Sequence, residues 1–358
     1  MNPSDKNTFA NRLKLARKLA GMSLQELSDS LTNTVTKQSL HKYETGLMKP
    51  TSELLLELSK ILKVKPDYFL RPTKTELGEV LFRKRKGLSK KNEESIIERA
   101  RDYVERYVEL ENILSAHSSF KNPLEEFVIK NKKDVEQAAN QLREKWELGT
   151  LPIPNIVEVL ELKGIKVLLI ESVEEVDGLA TITSEGIPLV VVNTKGRSIE
   201  RIRFTIIHEL AHLLLRFHDS VLKNQKEVEI LCHCFSTCFL IPSKMLLKLI
   251  GSSKRSYIAI AELISIKEYY GISIRALVHR LRELQLITPN YYQRWVIYLS
   301  KTYGQKDEPG KYKGEEKSKV FAQLINRALS EELISASKAA VLCNTSIGQL
   351  RKGIVSVK

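Results

Sequence analysis

The segment Arg203-Phe204-Thr205-Ile206-Ile207-His208-Glu209-Leu210-Ala211-His212-Leu213-Leu214 decides how the rest of the chain is read. Its two histidines are four residues apart. On a helix such residues share a face, so one rigid element can offer two imidazoles to one divalent ion. Glu209 stands beside the first of them, where metal-assisted hydrolysis needs a general base. The apolar neighbours Phe204, Ile206, Ile207, Leu210, Leu213 and Leu214 predict a buried helix that keeps solvent from the imidazoles. A hydrolytic metal site needs a third protein donor. His218 lies further along, but in a continuing helix it would point away from the site. Glu229, Cys232 and His233 share a face of the next expected helix, and spacing does not choose among them.

Away from this helix the pattern changes period. Lys166–Ile170 and Leu189–Val192 are apolar and β-branched, bounded by Gly164, Gly178, Gly186 and Gly196, which predicts a small sheet. Helices dominate from Ser198 onward, with a polar break over Gly304–Gly314. Near the start, residues 8–72 read as short helices. Gly21 ends the first, and Ser23 with Glu26 forms a capping box for the second. The third runs from Thr36 to just before Gly46, a fourth follows Pro50, and Pro72 closes the unit. A basic stretch (Arg83-Lys84-Arg85-Lys86) leads into a long polar helix over about 93–116. Its thin apolar edge (Ile97, Val104, Val108, Leu110) predicts a connector or a dimer helix. The expected class is α+β, mostly α with a small β-sheet. The expected divisions are 1–72, a basic linker and helical connector over 73–149, a metal-site domain over 150–300, and a helical tail over 301–358.

A chain of 358 residues is long enough for two or three domains. Lys and Arg number 57 against 43 Asp and Glu, a net charge of +14. Residues 1–91 hold 19 basic and 9 acidic side chains, so most of the excess sits at one end and would attract a polyanion there. No apolar run approaches the roughly 18 residues that span a bilayer, and the first residues lack a secretion signal. Four cysteines, three of them at 232, 234 and 238, make no disulfide framework. These features predict a cytoplasmic protein with no membrane partner.

Two resemblances sharpen the expectation. Val190–Pro242 resembles the ImmA/IrrE family of metallopeptidases: a strand ending Val192-Asn193, then Arg203-Phe204-Thr205 and the HExxH helix, then Glu229-Ile230-Leu231-Cys232-His233-Cys234-Phe235-Ser236 and Phe239-Leu240-Ile241-Pro242. The likeness extends upstream through Asp177-Gly178-Leu179 and downstream through Gly271-Ile272-Ser273. It implies Glu229 as third ligand beside His208 and His212, Glu209 as base, and Zn2+ as cofactor, although a His/His/Glu set also accommodates Mn2+. The family's usual Asn is His233 here, which makes His233 a candidate ligand partner, substrate contact or extra ligand; Asn193 joins it as a further candidate. In zincins the substrate lies extended along an edge strand, for which Leu189–Asn193 is the candidate.

Residues 8–72 resemble the phage-repressor (XRE) helix-turn-helix domain, a five-helix fold, through Leu13, Arg17, Gly21, Ser23, Glu26-Leu27-Ser28, Ser39-Leu40, Tyr43-Glu44, Gly46 and Pro50. That implies a double-stranded DNA operator read by a homodimer, with Arg17 and Glu44 paired. Leu40 and Tyr43 face the core, leaving Thr36, Lys37, Gln38, His41 and Lys42 for DNA. Phe321–Leu350 resembles the helical tail of longer ImmA/IrrE regulators, suited to packing or dimer contacts. Together the resemblances imply a DNA-bound zinc endopeptidase that cleaves a repressor or antitoxin-like protein. The alternative is a regulator or antitoxin whose peptidase-like domain only senses or binds a partner.

Overall fold

The computed structural model describes residues 3–32, 35–71, 77–78, 81–84, 88–173, 176–305 and 307–355, and of 3–7, 81–84 and 352–355 it describes the backbone alone. Pro72, Arg85 and Lys86 lie outside the described residues. Among those described are seventeen α-helices and six short strands, the mostly helical α+β class that the sequence predicts.

The N-terminal unit consists of helices Pro3–Leu19, Leu24–Ser30, Lys37–Glu44 and Ser52–Ile61, then a 3-10 turn at Pro66–Leu70 in place of a fifth α-helix. Leu13, Leu27, Leu40, Leu58 and Phe69 are fully enclosed at its centre. The second helix starts where the capping box predicts: Ser23 Oγ accepts from the Glu26 N–H, and the Glu26 carboxylate accepts from the Ser23 N–H at 2.6 Å.

The long polar helix runs over Lys90–Ile113 and is not a thin-edged connector. Its buried stripe is Ile96, Ala100, Tyr103, Tyr107 and Leu110, a 4-3-4-3 spacing completed by tyrosines and an alanine. Counting only aliphatic residues hid that stripe from the sequence reading. One part of the helix carries the N-terminal unit, through an Arg12–Glu105 ion pair at 2.8 Å and a Ser95 hydroxyl donated to Leu19 O at 3.0 Å. Another part covers the sheet, with Tyr103 and Tyr107 packing beside Val176, Leu179, Leu189 and Val191. Its C-terminal end holds the tail helices Val320–Ser330 and Ala336–Leu342, with Leu110 and Leu114 against Ile325, Ala328 and Leu342. The face read as a seam for a second copy is therefore occupied within the chain.

Six strands are present: β1 Leu81–Lys84, β2 Val128–Ile129, β3 Lys166–Ile170, β4 Val176–Ile182, β5 Pro188–Asn193 and β6 Arg216–Phe217. Four make a sheet of order β1-β4-β5-β3, and β2 pairs β6 in parallel. β5 is internal, parallel to β3 and antiparallel to β4. This corrects the expectation of Leu189–Asn193 as an edge strand: both its sides are hydrogen-bonded, which is why it reads as a continuous apolar run. The HExxH helix (Ile199–Leu214) lies across β4 and β5, and the helix Gln225–Leu240 lies against it.

The polar segment after Gly304 is structured too. Glu308 accepts from the backbone N–H groups of Ile274 and Arg275 at 2.7 and 3.0 Å, capping helix Ile274–Glu283. Glu316 accepts from the N–H groups of Ile156 and Val157 at 2.7 and 3.0 Å, capping helix Ile156–Leu162, and pairs with Arg203. Both carboxylates sit at helix N-termini, where exposed N–H groups and the dipole favour negative charge.

Glu161 is enclosed between this segment and the long helix, accepting from Ser318 Oγ at 2.7 Å and from the Tyr103 hydroxyl at 3.3 Å. Burial pushes its pKa up from 4.5 to about 7. A raised carboxyl favours the fold fully below the unfolded value and loses that contribution as pH climbs through the folded value. Relative to Glu161→Gln, wild type should therefore lose on the order of 3 kcal/mol of stability between about pH 4.5 and pH 8. Urea unfolding of both proteins across that range measures the difference.

Candidate metal centre and nucleic-acid interface

The HExxH helix begins at the Ser198 N-cap, whose hydroxyl accepts from Arg201 N–H, and it buries Ile206, Ile207, Leu210 and Ala211 in the core shared with β3, β5 and the helix Gln225–Leu240. This packing turns His208 and His212 toward the helix Gln225–Leu240. There Glu229 straddles them, Oε2 at 3.4 Å from His208 Nε2 and Oε1 at 3.4 Å from His212 Nε2, while the two Nε2 atoms are 3.2 Å apart. Donors bound at about 2.0–2.1 Å to one tetrahedral ion are separated by roughly 3.3 Å, and the two Nε2 atoms, and each of them from one Glu229 oxygen, have about that spacing. The donor chemistry fits as well. Two imidazole nitrogens and a carboxylate are donor types that Zn2+ takes. Hydrogen bonding with His208 and His212 also holds the Glu229 carboxyl well below the usual carboxylate range, so it is ionised and ready to ligate.

Glu209 is 1% exposed and lies against β4. A Cβ built on Gly178 would come within 2.9 Å of both Glu209 Cγ and Oε1, and 3.0 Å from Val191 O. Position 178 is therefore a glycine because the Glu209 carboxylate occupies the space of a side chain there. Asp177 beside it pairs with Arg197 at 2.9 Å and Arg201 at 3.3 Å, fixing β4 to the start of the HExxH helix. Sequence reasoning noted the Asp177-Gly178-Leu179 segment without a role for its glycine.

Beneath the site Arg203 is fully buried. It pairs with Glu316, donates to the carbonyls of Ile153 and Gly271 at 2.7 and 3.1 Å, and stacks over Tyr312 at 4.5 Å. Its enclosure was not legible locally, because Glu316 is 113 residues away in the chain. A Cβ on Gly271 would strike Arg203 Nε at 2.4 Å, and Gly271 has φ +64, so both space and backbone require glycine there.

The remaining candidates separate clearly. The HExxH helix ends at Leu214 and does not continue to His218, which instead caps the helix Asp219–Leu222 with its Nδ1 near Ser220. Cys232 Sγ lies 3.7 Å from His212 Nδ1, the ring nitrogen turned away from Glu229. The His233 ring stacks at 4.7 Å from His208, and donor atoms of His208, Glu229 and His233 all lie within 4.8 Å of one another. Asn193 is not at the centre. Its amide nitrogen donates to Val173 O and Val176 O, and its oxygen accepts from Ser172 and Lys195 N–H, so its side chain is used in joining strand ends.

In the N-terminal unit, the recognition helix Lys37–Glu44 buries Leu40 and Tyr43 and exposes Lys37, Gln38, His41 and Lys42 on one side, with Thr36 exposed at its N-cap. Thr36 Oγ1 accepts from Ser39 N–H at 3.2 Å, which sets the helix start. Gly46 at φ +75 closes the other end, with Leu47 N–H reaching back to Lys42 O at 2.9 Å. Arg17 clamps Glu44 through two contacts at 2.6 and 2.9 Å, tying the first helix to the recognition helix.

Residues 160–282 match the IrrE N-terminal-like domain family, the M78 peptidases, and residues 13–69 match the helix-turn-helix family. The SPbeta prophage-derived uncharacterized HTH-type transcriptional regulator YonR of Bacillus subtilis (strain 168) is 39% identical over 75 residues, which cover 20% of this chain and 68% of that protein. Among the described residues no single helix is long and apolar enough to cross a membrane.

The purified protein should hold one divalent ion per chain. Glu229→Ala should weaken that ion by on the order of a hundredfold or more, whereas His218→Ala should leave it unchanged. Competition with a chromophoric chelator measures both.

Proposed function

The chain belongs to the helix-turn-helix regulators joined to an IrrE N-terminal-like domain of the M78 peptidases, and we propose that it is a DNA-bound metalloendopeptidase that switches transcription by cutting a repressor or antitoxin-like protein. The observation that carries this reading is the triangle of His208, His212 and Glu229 with Glu209 enclosed beside it. A divalent ion held by those three residues, Zn2+ or Mn2+, would polarise a peptide carbonyl and lower the pKa of the attacking water. Glu209 takes the proton from that water and returns it to the leaving amine as the C–N bond breaks. Gly178 leaves the carboxylate the space it needs, and the buried helix face excludes competing solvent.

The helix-turn-helix unit supplies address. Lys37, Lys42 and His41 offer cationic or donor groups to phosphates and bases, Gln38 has the bidentate amide that reads adenine, and Thr36 meets the backbone at the helix start. One recognition helix reads too few base pairs, so a homodimer on a palindromic operator is the working form. The proposed division is 1–72 for DNA, 73–149 joining that unit to the rest and packing on the sheet through its long helix, 150–300 for peptide hydrolysis, and 301–358 as tail. The second reading, a non-proteolytic regulator or antitoxin, uses the same donors and is favoured by the crowding of His233 against His208.

Glu209→Gln separates the two. It should keep the ion and DNA affinity but lower chelator-sensitive cleavage by roughly 100- to 10,000-fold. If reporter derepression persists in that variant, proteolysis is not the switch. On the DNA side, Lys42→Ala should weaken all sequences alike and reduce the salt slope by about 1, and Gln38→Ala should cost about 1–3 kcal/mol at its base pair only. Fluorescence anisotropy at several salt concentrations on matched and mutated operators reads both effects.

A further inference from the structure

The helix Gln225–Leu240 carries Glu229 and His233 four residues apart, as the HExxH helix carries His208 and His212. Two facing helices thus each carry an i,i+4 pair of donors, and His208 and Glu229 are close to the donors of both His212 and His233. The His233 ring is held in that direction from both sides: Phe204, one turn before His208, tilts against it at 5.7 Å, and His208 lies at 4.7 Å. Its donor atom is already within 4.8 Å of those of His208 and Glu229. A side-chain torsion at His233 is enough to adjust that atom toward the roughly 3.3 Å separation of tetrahedral donors.

We propose that His233 is a fourth protein donor to the divalent ion, occupying the position that a three-donor hydrolase leaves to water. Sites with four protein donors are closed, and sites with three remain open for chemistry. His233 therefore holds this centre latent, and opening it requires the imidazole to swing away when a substrate chain enters. A third imidazole also tilts the donor set toward nitrogen-preferring ions such as Zn2+ or Co2+ and away from Mn2+. This inference rests on the metal-site reading above.

The test loads the full-length protein with Zn2+ or Co2+ alone. X-ray absorption of the zinc form should count three imidazoles in wild type and two in His233→Asn. Chelator competition should show the ion weakened at least tenfold in that variant, with a changed visible spectrum of the cobalt form. His233→Gln is measured in parallel, and unchanged circular dichroism and operator affinity certify the fold of each. Two imidazoles in wild type, with affinity and spectrum unmoved by either substitution, would overturn the proposal while leaving the three-donor site intact. A wild-type protein that binds no ion, like His208→Ala, overturns the metal-site reading and this inference together.

Discussion

Everything at the centre depends on how two helices face each other. Ile199–Leu214 brings two imidazoles and Gln225–Leu240 a carboxylate, and neither helix has a complete ligand set. Their packing is enforced from behind. The first buries Ile206, Ile207 and Leu210 in the main core, and the second is fixed there by Phe235 and Phe239, stacked at 5.9 Å. Like nitrogens and a carboxylate are thereby held together by apolar burial on their far sides. Close-packed interiors deform little, so the backbones that carry these donors keep their places.

The same logic of enclosed charge recurs through the molecule. Arg203 with Glu316, Lys166 with Glu111 at 2.5 Å, and Arg12 with Glu105 are each removed from water, and each joins segments far apart in sequence. Such pairs add little net stability over apolar packing, but losing one partner is costly, because the other charge is left without compensation. They register the pieces: Arg12 fixes the DNA-reading unit on the long helix, Lys166 fixes that helix on the sheet, and Arg203 fixes the sheet-bound helix on the last third of the chain. The long helix is consequently a shared wall of three units, and the element that carries the N-terminal unit is the same one that covers β4 and β5.

Much of this was readable beforehand, for physical reasons. The HExxH spacing, the capping box at Ser23 and the glycine closing the recognition helix are local, because a few consecutive residues satisfy each other's backbone groups. The choice of Glu229 over His218 was not a matter of spacing; it depends on where the helix after His212 stops. What the sequence hid is non-local. Asn193 was expected near the ion and instead serves strand ends, because β5 turned out to be internal. Gly178 was visible as a residue, but its reason, the carboxylate of Glu209 filling its side-chain space, needs two segments brought together in three dimensions.

Glu308 and Glu316 lend their carboxylates to helices that begin at Ile274 and Ile156. The body around the candidate metal centre is thus a closed loop in chain order, whose early helix is capped by a late residue. During synthesis the N-terminal helical unit is complete in the chain long before position 316 exists, whereas Arg203 waits for its counter-charge. The first unit is then formed ahead of a finished metal-site body, and the interval between the two is set by translation itself.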